Sequence, residues 1–217
     1  MAKRISFLLI LLVFAGSAVY ADEDGVFPKN TFTIDGLTPL AFLLSNLIID
    51  DGTFGFGTAV QYERQFTRTI SAAVRFEYKL FANLGGNTGT NMWSMSAEGH
   101  FRFYPGGSVF FLDGMLGYAN FSFKLDEYEM PMSHYFKLGG RLGWRIDFGE
   151  PGGFVLEPSF GYSGVIGNTN IDFNRMSDTS NSLISGINRF LNQMYDGMIR
   201  GFFVGGPVLS IGLGYRF

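Results

Sequence analysis

FFVGGPVLSIGLGYRF, residues 202–217, is the stretch that decides the fold. From Phe203 every second residue is large and apolar or carries a ring: Phe203, Pro207, Leu209, Ile211, Leu213, Tyr215 and Phe217, with Gly205 the one gap. The residues between are small or polar: Gly206, Ser210, Gly212, Gly214 and Arg216. A period of two puts successive side chains on opposite faces of a strand, so this strand has one greasy face and one small, wet face.

The same alternation recurs upstream. Residues 54–66 place Phe54, Phe56, Val60, Tyr62 and Phe66 against Gly55, Gly57, Ala59, Gln61, Glu63 and Gln65. After a tight turn at Thr67 and Arg68, Ile70, Ala72, Val74, Phe76, Tyr78 and Leu80 oppose Ser71, Ala73, Arg75, Glu77 and Lys79. Trp93, Met95, Ala97, Phe101 and Phe103 oppose Ser94, Ser96, Glu98, His100 and Arg102. Phe110, Leu112, Leu116 and Tyr118 oppose Asp113, Gly117 and Ala119. Phe136, Leu138, Leu142, Trp144, Ile146 and Phe148 oppose Lys137, Arg141, Arg145 and Asp147, and Phe154, Leu156, Phe160 and Tyr162 oppose Val155, Glu157, Ser159, Gly161 and Ser163. A further strand is expected over residues 30–42, with Phe32 and Ile34 on one face and Thr33 and Asp35 on the other. Pro39 and the run 40–49 admit a short helix instead.

Eight strands result, and their connections alternate long and short. That is the pattern of bacterial membrane barrels, with short periplasmic turns, long outer loops and both termini inside. Composition agrees: 47% of the chain is hydrophobic, 17% aromatic, and its 30 glycines are about twice the usual share of about 7%. Aromatics suit the membrane interfaces and glycines suit a curving wall. The expected fold is an all-β, antiparallel, up-and-down transmembrane barrel of eight strands. A soluble barrel of lipocalin type, with the apolar face inward and the charges outward, has the same alternation.

Lys3 and Arg4, the apolar run 7–15 and the small-residue site Val19-Tyr20-Ala21 read as a secretory signal peptide over residues 1–21, ahead of a barrel over residues 22–217. The run is shorter than the roughly 20 residues a membrane helix needs. Without Lys3 and Arg4, 14 basic side chains face 19 acidic ones, so the remainder is five charges negative, which argues against a nucleic-acid partner. The chain has no cysteine, which excludes a disulfide, a lipoprotein anchor and a thiolate metal site.

The polar face carries Arg75, Lys79, Arg102, Lys137, Arg141, Arg145 and Arg216 against Asp35, Glu63, Glu77, Glu98, Asp113, Asp147 and Glu157, seven of each sign. An eight-stranded interior is only wide enough to be filled by side chains. Charges there must pair, because an unpaired buried charge costs several kcal/mol. His100, between Glu98 and Arg102, is read as a member of this lumen network. Nucleophilic catalysis is not expected: Ser133 and His134 are adjacent on a strand and point to opposite faces. Two isolated histidines do not make a metal site, so no catalytic, cofactor or metal residues are expected. Within the long segment 167–201, Leu183, Ile184, Ile187, Phe190, Leu191, Met194, Tyr195 and Met198 recur at helical spacing and predict an amphipathic helix in the last outer loop.

The whole pattern resembles the small eight-stranded outer-membrane proteins of the OmpA-barrel, OmpX and OmpW type. The run GxGxxxxYER at residues 55–64 and the terminal strand are also similar to spirochaete outer-membrane β-barrel proteins. Leu213, Tyr215 and the final Phe217 resemble the C-terminal signal read by the barrel-assembly machinery. The resemblance implies location in the cell outer membrane, contact with its lipid, and two functional classes. One is a narrow passive channel for small solutes or a closed structural barrel. The other is a surface protein meeting host molecules through its loops. An OmpW-type lumen is largely apolar, and the charged face here departs from it. Deleting Phe217 is expected to impair membrane insertion and leave secretion intact, as read by membrane fractionation and heat-modifiable gel migration; unchanged insertion would remove the assembly role of this strand.

Overall fold

The computed structural model describes residues 30–36, 53–83, 90–125, 128–129, 131–148, 153–168 and 204–217, with Gln193, Gly197, Arg200 and Gly201 besides. Eight strands form the wall: β1 Asn30–Asp35, β2 Thr53–Gln65, β3 Ile70–Asn83, β4 Thr90–Phe103, β5 Phe110–Leu125, β6 Ser133–Trp144, β7 Phe154–Asn168 and β8 Gly206–Arg216. Ile146–Phe148 carries β6 on past Arg145, and the pair Tyr128–Glu129 folds back on the end of β5. Each strand pairs antiparallel with its neighbours in sequence, and β8 pairs with both β7 and β1, so the sheet closes. At the seam Asn30 and Phe217 exchange N–H···O bonds of 2.9 Å in both directions.

The alternation fixes which face is which. Leu116, Phe136, Leu138 and Leu209 are each more than 60% exposed, while Asp113, Lys137, Arg141 and Ser210 on the opposite face of the same strands are at most 5% exposed. The apolar face therefore points outward and the charged face inward, the reverse of a soluble barrel. An exterior this continuously apolar is stable against lipid rather than water. Rings stack along it, as in the edge-on contact of Phe154 with Tyr215 at 6.0 Å.

Two strands run further than their alternation suggested. β5 continues through Phe121 and Phe123 to Leu125, into what reads as a loop, and β7 continues to Asn168. In β5 the period of two is kept, but both Phe121 and Phe123 lie on the inner face and are buried, which masks the change of polarity between faces. The first strand is described over Asn30–Asp35, and the rest of the expected strand or helix, residues 37–52, lies outside the described residues. So do residues 1–29. The helix expected over residues 183–198 also lies outside them, apart from Gln193 and Gly197.

The hairpin of β6 and β7 has the register expected for a turn centred near residue 151: Phe148 faces Phe154, Asp147 faces Val155 and Gly143 faces Ser159. Glycines on the inner face make room for long side chains. A Cβ on Gly161 would sit 2.1 Å from the Gly140 carbonyl oxygen and 2.7 Å from Cγ of Arg141, whose stem crosses that spot. Gly161→Ala is expected to lower the unfolding free energy by about 1–3 kcal/mol through overpacking, measured by urea titration of the refolded barrel; a change within experimental error would show that the β6 backbone and the Arg141 stem can both give way.

Candidate functional site: the charged lumen

The inward faces of β1 to β7 converge on one network, arranged in tiers from the turn end to the loop end. At the turn end two arginines and two glutamates interlock. Arg102 Nη1 donates to the Glu63 carboxylate and, at 3.0 Å, to Glu157 Oε2. Arg145 Nε donates to Glu157 Oε1 at 2.7 Å, and its Nη2 donates to Glu63. Tyr104 OH donates to Glu63 Oε1 at 2.9 Å. Rings close the gaps: the Arg102 guanidinium lies 4.4 Å from the centre of the Phe111 ring and that of Arg145 lies 5.2 Å from Tyr104. Each guanidinium thus bridges two carboxylates, an arrangement that suits its planar fork.

The middle tier centres on Asp113. Arg141 donates to it through Nη2 at 2.6 Å and Nε at 3.1 Å, and Arg102 reaches it at 3.4 Å. His100 spans two carboxylates, with Nδ1 3.0 Å from Asp113 and Nε2 3.2 Å from Glu98. The upper tier holds Lys137 against Glu98, Lys79 against Glu77 at 3.3 Å, and Arg75 against Asp35 at 3.0 Å, with Arg75 also 3.8 Å from Glu77. Above the tight tiers these side chains line a cavity of about 300 Å³.

Asp147 and Arg216 stand apart. They pair with each other at 2.6 Å near the rim of the turn end, where the Asp147 side chain is 42% exposed. They belong to the same face as the other charges but not to the buried network. Leu213, Tyr215 and Phe217 all face outward on or next to β8. Ser133 is buried and His134 exposed, so the two do point to opposite faces; His134 stacks on Tyr118 at 6.0 Å and shares a 2.6 Å hydrogen bond with its hydroxyl. Among the described residues no group of His, Asp and Glu side chains has the geometry to hold a metal ion.

The charge pattern leaves out the apolar part of the lumen. Tyr104, Phe111 and Met115 point inward near the tight tiers, and Met92, Ala119, Phe121, Phe123, Tyr135 and Val204 form a buried cluster at the loop end. Parity was the available signal: Phe111, Met115, Phe121 and Phe123 are all odd-numbered on the strand whose Asp113 points in.

The fold and this lumen define a class, the small eight-stranded transmembrane β-barrel: closed, apolar outside, ion-paired within. No protein-family model matches the sequence, and no curated protein matches it either. Among solved structures the chain is similar to the outer membrane protein Ail of Yersinia pestis, determined in a phospholipid bilayer nanodisc. The two share 14% identity over 88% of this chain and 99% of that one, at a TM-score of 0.41.

Arg145→Ala and Glu157→Ala are each expected to destabilise the refolded barrel by about 3–5 kcal/mol, because each strands a buried partner, with the double variant losing less than the sum. Guanidinium unfolding of the four proteins gives the coupling; additive effects below about 1 kcal/mol would mean the two side chains are solvated.

Proposed function

We propose that this outer-membrane barrel is sealed, a rigid membrane body that carries its outer loops on the cell surface rather than a standing pore. The observation that carries the reading is the turn-end cluster of Glu63, Glu157, Arg102 and Arg145, packed with Tyr104 and Phe111. Every one of these six side chains is at most 6% exposed. A solute crossing there would have to separate paired buried charges, each separation costing about 3–5 kcal/mol. On this reading residues 1–21 direct secretion and are removed, and the outward row Leu213, Tyr215 and Phe217 is what the barrel-assembly machinery reads. Host surface molecules are then the partners that the loops would meet.

A narrow channel for small solutes is the second reading. The cavity above the cluster favours it, since space for small solutes already exists within the lumen. Planar-bilayer recording of the refolded protein separates the two. The sealed reading expects no steady single-channel openings at moderate voltage in the native protein. Reproducible ohmic conductance would overturn it in favour of the channel.

A further inference from the structure

The cavity lies between two seals of different kinds. Toward the turn end are the interlocked charges. Toward the loop end is the apolar cluster, and one member of it, Val204, comes from the segment that leads into β8. Val204 and Gly205 also line the cavity. The described contacts of the segment in the mouth include an Arg200 Nη2 hydrogen bond to the Gly167 carbonyl at 2.8 Å and the Arg200 guanidinium 5.9 Å from the centre of the Tyr135 ring, while Val204 is 2% exposed in that same ring's cluster. Gly206, at φ 92°, makes the turn from this segment into the wall, a conformation that only glycine adopts at ease.

The cavity wall is built from three cations, Arg75, Lys79 and Lys137, and three carboxylates, Asp35, Glu77 and Glu98. Arg141 reaches it too, but Asp113 engages that guanidinium from the tier below. Ser163 lines the same space; it is 1% exposed, and its hydroxyl has no hydrogen-bond partner among the described residues. A buried hydroxyl is ordinarily partnered, and this one, with under 1 Å² of accessible surface, has no partner among the described residues. At about 30 Å³ for each water, the volume suits a small organic solute as well as it suits solvent.

We propose that the cavity is a binding pocket for a small polar solute, reached from the loop end, with the Val204 segment as its stopper. The inference rests on the sealed turn end of the preceding reading. The balanced wall offers donors and acceptors to both ends of a polar molecule and favours neither sign of net charge.

The chain contains no cysteine, so Ser163→Cys places a single thiol in the pocket, and Val208→Cys, on another part of the same lining, serves as a second reporter. In detergent both ends of the refolded barrel are accessible, and heat-modifiable migration shows that each variant is folded. The probes are two methanethiosulfonates, one bearing a sulfonate and one a trimethylammonium group. Adding Val204→Gly or Arg200→Ala should speed labelling by about tenfold or more, as expected when a closed state loses a principal contact. Adding Asp147→Asn, at the turn-end rim and outside the buried cluster, should leave the rate unchanged. The two reagents, each normalised to its rate with a free thiol, should agree within a factor of about three for a wall without net charge. Rates indifferent to Val204→Gly would overturn the stopper, and a strong preference for one reagent would overturn the balanced pocket. Acceleration by Asp147→Asn would place the opening at the turn end and overturn the proposal, whereas steady conductance with labelling still governed by Val204 would overturn the sealed reading alone.

Discussion

The constraint on which this structure depends is that a charge inside a narrow barrel has nowhere to go but onto another side chain. Glu63 shows the consequence. It is 1% exposed, and its carboxylate is met by Arg102, Arg145 and Tyr104, which arrive from β4, the break after β6 and the turn after β4. Those groups lie far apart in sequence and reach one point only when the sheet is closed. The charges therefore act as a check on closure as well as a filling. A strand paired one residue out of register would turn its charges toward lipid, where a charged side chain costs up to about 2–4 kcal/mol at mid-depth.

The wall accommodates this filling by being thin where the filling is thick. The inner face of β7 falls to a glycine at 161 beside the Arg141 stem, and the inner face of β6 falls to a glycine at 143, where a Cβ would lie 2.7 Å from the Phe111 ring. Large residues and glycines thus face each other across neighbouring strands, as Phe111 faces Gly143 and Arg141 faces Gly161. The cavity lies higher up, where two lysines, Lys79 and Lys137, join Arg75 as the partners of the carboxylates. Rigidity and space are segregated along the barrel axis, and the two functional readings draw on different halves of the molecule.

Much of this was legible in the sequence because the governing period is two and is rarely broken. The parity of Arg75, Glu98, Lys137 and Glu157 assigned them to one face, and a turn near residue 151 set the register that brings Arg145 to Glu157. What escaped was whatever parity alone does not rank. Asp147 shares the face of Arg145 yet sits at the rim, two residues nearer the turn, because alternation assigns a face and not a depth along the axis. Phe121 and Phe123 share the face of Asp113 yet build an apolar cap, since the chemistry of a face can change along one strand. The reach of Arg200 back to Gly167 spans 33 residues of chain and has no local sequence signal.

The reciprocal bonds between Asn30 and Phe217 join the two ends of the wall, 187 positions apart. A contact of that sequence separation is among the last a chain can make, since its loop entropy is lost before the bond forms. Until then β1 and β8 are both free edges, each with a row of unpaired backbone groups of the kind that recruits other chains. The vulnerable species is therefore an almost complete sheet, and any factor that holds β1 and β8 apart from other partners until they meet would govern how much protein reaches the membrane intact.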